Sequence, residues 1–207
     1  MACLVTLIIC YPMRLILASR SPRRQELLRR AGIAFEVRPS QIEEVIRSGE
    51  RAEDFACRAA QEKALDVAAS CQPDTLILGA DTVVVVNGEL LGKPLDAEDA
   101  RRMLRLLSGC THRVVTGVCL VRAPGEIKAS KYETTAVTFR NLDEEEIQSY
   151  LASGEPFDKA GAYGIQGLAS RFVTRVEGCY FNVVGLPVAL VDEILRPFLK
   201  TGVSCQT

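Results

Sequence analysis

The sequence predicts a mixed α/β fold, because strand-like apolar runs alternate with amphipathic helical segments along its 207 residues. Hydrophobic residues make up 48% of the chain and charged residues 25%, which is typical of a soluble globular protein. The length suffices for a sizeable core, either in one domain of two lobes or in two small domains. We expect residues 1–12 to be an N-terminal extension and residues 13–207 to form a single domain.

The first part of the chain predicts a buried strand followed by a helix. Ser21 is a favourable N-cap, and Pro22 is favoured at the first helical position. Gly32 is placed to terminate this helix. Residues 33–37 then predict a short strand, and the apolar spacing within residues 52–69 predicts a second helix.

The middle of the chain predicts a hairpin. Residues 75–78 and 83–86 form apolar strand segments separated by a polar interruption. Asn87 and Gly88 follow, and this pair is a strong hairpin signal because both residues tolerate positive φ. Asp96 is then expected to cap the third helix.

The last part of the chain returns to strands before it ends in helices. Residues 112–122 and 127–139 predict two strands, and Asp143 opens a helix with a capping-box pattern. Residues 154–170 are rich in glycine and resemble a site loop. Two short strands and a final helix beyond Pro187 are expected to follow.

Composition excludes several classes of partner. The net charge is −1, so no overall field attracts the chain to nucleic acid or to acidic membranes. The eight cysteines include no C-x-x-C pair. Several of them lie within apolar runs, where a free cysteine behaves as a small hydrophobic residue, and this favours a reducing, cytoplasmic location. The apolar residues 1–12 are too few to span a bilayer and lack a basic start. We therefore expect no stable nucleic acid partner and no membrane partner.

The loop before the first helix predicts a phosphate site. A helix start offers free N–H groups and the positive end of a dipole, which attract anions. Ser19 and Ser21 add hydroxyl groups, and Arg23 and Arg24 add two permanent cations. The alternative is an ordinary capped helix whose first turn is basic and solvated.

A carboxylate within the apolar central strand is a second candidate. Burial of Asp81 is costly unless the group is paired, hydrogen-bonded or bound to a metal. We interpret it as a Mg²⁺ ligand or a general base, with a structural bond to local backbone as the alternative. Glu44 is a candidate for a second metal carboxylate, although an acidic surface loop would look the same. Lys63 and Lys93 would each be interpreted alone as solvated surface lysines. Together with the two arginines and Asp81 they become candidate site residues.

The glycine-rich loop carries Gln166, whose amide both donates and accepts hydrogen bonds. That combination suits the edge of uracil or thymine, whereas a structural amide would instead tie down its own loop. His112 is the single histidine, and without a G-x-S-x-G sequence a structural role is favoured over a Ser–His–Asp triad. The sequence contains neither a P-loop motif nor G-x-G-x-x-G, which argues against those nucleotide folds.

Seven blocks in fixed order resemble one known family. They are LILASRSPRRQELL, AQEKA, LGADTVV, GKP, LSGCTHRVVTGV, SGEPFDKAGAYGIQG and NVVGLP, and the resemblance runs from Arg14 to Leu199. The chain resembles the Maf nucleoside triphosphate pyrophosphatases. The resemblance implies a two-lobed mixed-sheet fold similar to inosine triphosphatase, with a nucleotide cleft between the lobes. It also implies hydrolysis of a nucleoside triphosphate to monophosphate and pyrophosphate with a divalent cation, Mg²⁺ or alternatively Mn²⁺ or Co²⁺.

The resemblance also implies roles for individual residues. Asp81 matches the catalytic proton acceptor, and it is expected to share the metal with Glu44. Arg23, Thr82 and Gln166 match the specificity positions of the dTTP/UTP branch. The residues that fall in phosphate-binding positions are Ser19, Arg24, Lys63, Lys93 and Lys159.

Other functions are compatible with the same cleft. A regulator of cell division that binds nucleotide or nucleic acid without catalysis is the main alternative, and a link to cell division is compatible with an active enzyme as well. A pyrophosphatase that removes deaminated or modified purine nucleotides is another. The resemblance is also compatible with a homodimer.

Overall fold

A computed structural model describes residues 13–198 as a seven-stranded mixed sheet with helices on both faces, which confirms the mixed α/β class. The strands are β1 (Leu15–Leu17), β2 (Glu36–Val37), β3 (Leu76–Val86), β4 (Glu89–Leu91), β5 (Thr111–Arg122), β6 (Glu126–Phe139) and β7 (Val173–Glu177). The helices are α1 (Pro22–Arg30), α2 (Ala52–Ala68), α3 (Ala97–Leu107), α4 (Glu144–Ala152), α5 (Tyr180–Val184) and α6 (Val188–Leu195). The predicted extension, residues 1–12, lies outside the described residues.

The strand order is β2-β1-β3-β5-β6-β7, and β4 pairs with one end of β3. The β1 strand is parallel to both β2 and β3, and the remaining pairs are antiparallel. The long ladder between β3 and β5 runs from the pair Leu76 and Arg122 to the pair Val85 and Arg113. These two long central strands form the frame on which the site is built.

The two faces of the sheet are covered differently. Helix α2 packs on one face, and its alanines lie against two glycines of the sheet. A Cβ at Gly79 would lie 2.0 Å from the carbonyl oxygen of Ala60, and one at Gly117 would lie 2.1 Å from that of Ala56. Helices α1, α3, α4 and α6 contribute to the larger core on the opposite face. The glycines therefore set how closely α2 approaches the central strands.

Pairing along one edge of β3 is interrupted near the middle of the strand. Strand β1 pairs with β3 only at residues 76–78, and β4 pairs with it only at residues 84–86. Within residues 13–198, no strand covers this edge between those two segments. Asp81 and Thr82 lie in this uncovered segment and line the cleft beside it.

The local predictions of caps and turns are confirmed. The side chain of Ser21 accepts a hydrogen bond from the N–H of Arg24, and Asp96 caps α3 in the same way. Asp143 forms the predicted capping box. Asn87 and Gly88 have positive φ and join β3 to β4 as a hairpin.

Three predictions of strands are wrong in detail. The polar interruption at Asp81 does not break the strand, because β3 is continuous through it and pairs with β5 on its other edge. The strand predicted at residues 33–37 is confined to Glu36–Val37. Of the two late strands only β7 forms, and the next segment is the short helix α5, while α6 follows Pro187 as predicted.

None of the helices in residues 13–198 combines the length and the apolar character that a membrane span requires.

Candidate active site

A cleft of about 1250 Å³ lies beside the interrupted edge of β3. Its walls come from residues 18–24, from the acidic loop at residues 40–46, and from the glycine-rich loop at residues 163–167. Val183 and Val184, at the end of α5, and Gly185 close one side. All ten site residues predicted from the sequence line this cleft, so the fold brings together segments that are far apart in the chain.

Lys63 lies between two carboxylates on the α2 side of the sheet. Its Nζ donates to Oδ1 of Asp81 at 2.5 Å and also to Oε1 of Glu44. Lys93 lies 3.5 Å from the other oxygen of Glu44. Lys63 reaches Asp81 because α2 packs closely against β3 at Gly79. The result is an alternating chain of two ammonium groups and two carboxylates.

Asp81 is the buried member of this chain. The residue is 3% exposed, and Oδ2 has no hydrogen-bond partner among the described residues. Burial raises the pKa of Asp81, the charge of Glu44 acts in the same direction, and Lys63 opposes both. The Oδ2 atom is therefore a basic oxygen held in place through its neighbour.

The pKa of Glu44 is shifted in the opposite direction, downward. Burial acts to raise the pKa of Glu44, but the ammonium groups of Lys63 and Lys93 outweigh it and lower this pKa to about 2. Glu44 is consequently ionised whenever the protein is near neutral pH. The two carboxylates differ because Glu44 has two cations and more solvent, whereas Asp81 is almost completely buried.

Arg24 lies on the Thr82 side of β3, opposite to Asp81. Hydrogen bonds to the protein occupy most of the donors of its guanidinium. Its Nε donates to the carbonyl of Gly185 at 2.8 Å, and Nη1 donates to the carbonyl of Ala80 at 2.9 Å and to Oγ of Ser19 at 3.2 Å. Nη2 donates to Oγ1 of Thr82 at 2.9 Å. Arg24 thus occupies the edge of β3 in the gap between β1 and β4.

Thr82 is held within this same network. Besides Arg24, its hydroxyl is 2.9 Å from Oγ1 of Thr116 on β5. Successive residues of a strand face opposite sides, so Thr82 points away from the Asp81 side. Thr82 is therefore tied to the scaffold on the face that carries α1 and α5.

Arg23 joins the first helix to the glycine-rich loop. Its Nη1 lies 3.0 Å from Oδ2 of Asp158, and the other oxygen of Asp158 accepts from Lys159 at 2.6 Å. Gln166 lies on the same side of the cleft, is exposed, and makes no hydrogen bond to the described residues. Lys93 is also open, with 57% of its side chain exposed. Arg23, Gln166 and Lys93 therefore face the cleft with hydrogen-bonding groups that are still available to a ligand.

His112 does not contribute to the cleft. It is 1% exposed and packs edge-on against Phe139 and Tyr163. Its Nε2 lies 2.8 Å from the hydroxyl of Tyr163, and burial lowers the pKa of His112 to about 4. The imidazole is a neutral core group at neutral pH, as the structural interpretation predicts.

The acidic residues fit a divalent cation of the kind that binds phosphate. Mg²⁺ uses one or two carboxylates together with phosphate oxygens and water. Asp81 Oδ2 is an unpaired acceptor, and Glu44 is an ionised carboxylate joined to Asp81 through Lys63. No group of three or more His, Cys, Asp or Glu side chains with metal-binding geometry exists among residues 13–198. Asp81 and Glu44 are therefore the carboxylates that could hold such a cation.

Sequence reasoning missed the groups that hold the site together. A residue pattern does not single out the carbonyls of Ala80 and Gly185, because any residue supplies a carbonyl. It does not pair Thr116 with Thr82 either, because the two threonines are 34 residues apart in the chain. Asn182 is another, since its amide donates to Val114 and Thr135 and so attaches α5 to the sheet. Its position in the block NVVGLP was the available signal.

Comparison with known proteins identifies relatives across most of the chain. A family model described as Maf-like protein matches residues 14–198. A dTTP/UTP pyrophosphatase of Koribacter versatilis is 53% identical over 184 residues, covering 89% of this chain and 94% of the relative. A dTTP/UTP pyrophosphatase of Carboxydothermus hydrogenoformans is 50% identical and covers 89% of this chain and 98% of the relative.

Among solved structures, a nucleoside-triphosphatase / dITP/XTP pyrophosphatase of Mycobacterium abscessus matches with a TM-score of 0.43 and 16% identity. The match covers 93% of this chain and 99% of that one. The family match alone spans nearly all described residues and includes every cleft-lining segment. On this basis the chain belongs to the Maf-like protein family.

Proposed function

We propose that this protein hydrolyses nucleoside triphosphates, dTTP and UTP above all, to the nucleoside monophosphate and pyrophosphate. The observation that carries the proposal is the buried Asp81, whose Oδ2 is unpaired while Lys63 holds its Oδ1. Relatives named dTTP/UTP pyrophosphatase, at about half identity over most of the chain, support the same reaction. The reaction would serve to remove unwanted nucleotides from the cellular nucleotide pool.

The proposed chemistry is attack of water on the α-phosphorus. Asp81 Oδ2 accepts a proton of the water as its oxygen bonds to phosphorus, and the bond from the α-phosphorus to the bridging oxygen breaks. That oxygen leaves with pyrophosphate. The raised pKa of Asp81 makes it a stronger base than an exposed aspartate, and Lys63 fixes its orientation. Charge stabilisation accounts for most of the remaining rate increase.

The cations of the cleft divide between substrate and scaffold in this proposal. Lys93 and Lys159 bind the triphosphate directly, and Lys63 balances the charge beside Asp81. Arg24 and Ser19 contribute mainly positive potential and a fixed loop, because four hydrogen bonds already engage the guanidinium. Glu44, together with Asp81, would hold Mg²⁺, with Mn²⁺ or Co²⁺ as substitutes. When bound, the metal polarises the phosphate and its water.

Base recognition is assigned to Arg23, Thr82 and Gln166. Gln166 has its amide free to donate to and accept from the edge of a pyrimidine. Thr82 acts through the network that it shares with Arg24 and Thr116, and Arg23 acts through its ion pair with Asp158. We propose a preference for pyrimidine over purine triphosphates on these contacts.

We also propose that the chain forms a homodimer through the outer edge of β6. Strand β7 pairs with β6 only at residues 136–139, so the edge at residues 126–135 has no strand partner among the described residues. The N–H of Thr134 turns to the side chain of Glu133, which places the even-numbered residues with their backbone groups outward. Antiparallel pairing of two copies about Tyr132, which is 49% exposed, sets Lys131 of each copy opposite Glu133 of the other.

The dimer is tested by light scattering of the purified protein and of Tyr132→Pro. Proline at an edge position with its N–H outward is tolerated by the sheet but blocks pairing with a second copy. A dimer that becomes monomeric in the variant is expected. A monomeric wild type, or a variant that stays dimeric, would contradict this assignment.

The reaction is tested by measuring pyrophosphate release with a panel of nucleoside triphosphates and Mg²⁺. We expect release from dTTP and UTP to exceed release from purine triphosphates, with chelator abolishing it. Binding of nucleotide without any release would favour the non-catalytic regulator instead. Faster release from deaminated purine nucleotides would favour a purine-directed enzyme.

A localisation in the cytoplasm remains a prediction of the cysteine content.

A further inference from the structure

Gln166 lies on a tight turn that closes the glycine-rich loop. The N–H of Gly167 donates to the carbonyl of Gly164 at 3.0 Å, so residues 164–167 form a β-turn with Gln166 in its third position. Ile165, beside it, is buried and anchors the turn to the core. The backbone of Gln166 is therefore fixed while its amide remains free.

Both ends of this turn are attached to one carboxylate, that of Glu155. Oε2 of Glu155 accepts from the N–H of Leu168 at 2.9 Å. Oε1 accepts from the hydroxyl of Tyr150 at 2.9 Å, and the same hydroxyl accepts from the N–H of Gly164 at 3.2 Å. One side chain thus reaches the start of the turn through Tyr150 and the residue after its end directly.

Glycine leaves the space that this carboxylate occupies. A Cβ at Gly167 would lie 2.3 Å from both carboxylate oxygens of Glu155. A Cβ at Gly164 would lie 2.6 Å from Cε of Lys159, whose Nζ donates to the carbonyl of Glu155 at 2.6 Å. The two glycines therefore let the turn close directly over Glu155.

The proposed triphosphate chemistry uses the main-chain carbonyl of Glu155, which accepts from Lys159, but it does not use the carboxylate. Its side chain is turned into the loop and makes no contact with Asp81, Lys63 or Glu44. We infer that Glu155 is a positioning residue for base recognition, which acts by holding the turn that presents Gln166 to the base. This inference rests on the proposed function and assigns part of its substrate preference to a residue outside the cleft chemistry.

The test compares Glu155→Ala and Glu155→Gln with the wild type, using dTTP and GTP as the two substrates. We expect Glu155→Ala to reduce the ratio of kcat/KM for dTTP over GTP about 10-fold, mostly through a higher KM for dTTP. Glu155→Gln retains one acceptor, so we expect a loss of about 3-fold. Glu155→Gln also keeps the test open if the alanine variant does not fold.

A double variant separates positioning from general loosening. If Glu155 acts through Gln166, Glu155→Ala introduced into a Gln166→Ala protein changes the substrate ratio by less than about 2-fold. A structural effect on the whole cleft would instead lower kcat for both nucleotides in either background. Glu177→Ala, which removes an exposed carboxylate paired with Arg175, is the matched control and leaves the ratio unchanged.

The outcomes distinguish this inference from the proposed function. A wild type that releases no pyrophosphate from any nucleotide contradicts both. A wild type that prefers dTTP, together with Glu155 variants of unchanged ratio, overturns the inference alone. An equal loss of ratio with and without Gln166 would also overturn it, because Glu155 would then act by another route.

Discussion

Asp81 and Thr82 are neighbours on β3, but they face opposite sides of the sheet and have opposite environments. Thr82 is saturated, since its hydroxyl bonds Thr116 and Arg24. Asp81 is equally central but keeps one carboxylate oxygen without a partner among the described residues. Under the proposed function this difference becomes a division of labour, in which the Thr82 side holds the shape of the cleft and the Asp81 side supplies reactivity.

The two buried cations follow the same division. Arg24 donates four hydrogen bonds to neutral oxygens of the protein, two of them backbone carbonyls. Lys63 instead donates to two carboxylates, so its partners can change their protonation. Arg24 has a fixed fork of donors, which suits a scaffold, and Lys63 has a compact charge, which suits a site whose ionisation changes. The following variants test whether this division holds.

The largest expected effect is the loss of activity in Asp81→Asn. An amide keeps the shape of the side chain but cannot accept the proton, so we expect kcat to fall about 10³-fold. Pyrophosphate release with dTTP measures it. Asp192→Asn, which removes an exposed partner of Arg196, is the control and retains full activity. Near-normal turnover by Asp81→Asn would remove Asp81 from the proposed chemistry.

The next effect is a loss of stability in Arg24→Lys. One ammonium group cannot reach the four acceptors that the guanidinium serves, so buried oxygens lose their partners. We expect the free energy of unfolding to fall by about 3 kcal/mol. Urea denaturation measures it against Arg29→Lys, an exposed change on the same helix. If stability is unchanged while phosphate affinity falls, Arg24 belongs with the reactive side.

The pH dependence of the rate is a smaller and more specific effect. The proton-accepting form of Asp81 is lost as pH falls, and burial raises the pKa of this group above its ordinary value of 3.8. The acid limb of kcat/KM therefore lies above the range of an exposed aspartate, and activity rises with pH through it. Glu44, with a pKa of about 2, is already ionised there. An acid limb at or below the ordinary aspartate value would contradict the assignment of the base.

Local features of this fold were predictable because their causes are local. Ser21, Asp96 and Asp143 cap the helices that follow them, and each cap depends on residues within one turn. The Asn87–Gly88 hairpin depends on two adjacent residues that accept positive φ. Short-range chemistry of this kind can be recognised from the sequence without tertiary structure.

The continuity of β3 could not be predicted in the same way. A carboxylate in an apolar strand reads as an interruption, because its compensating partner lies 18 residues away on α2. The contact between Arg24 and Gly185 joins positions 161 residues apart. Candidate residues could be named from their chemistry and family resemblance, but their pairing depended on how helices dock onto the sheet.

The most direct test of the division between the two faces is the unfolding free energy of Asp81→Asn, measured beside Thr82→Val. We expect the free energy of unfolding of Asp81→Asn to stay within about 1 kcal/mol of the wild type, since the amide oxygen can still accept from Lys63 and a costly buried charge is removed. Thr82→Val should lose about 1 kcal/mol or more, because it breaks a saturated network. A loss of several kcal/mol in Asp81→Asn with no loss in Thr82→Val would show that the two faces of β3 are not divided between scaffold and reactivity.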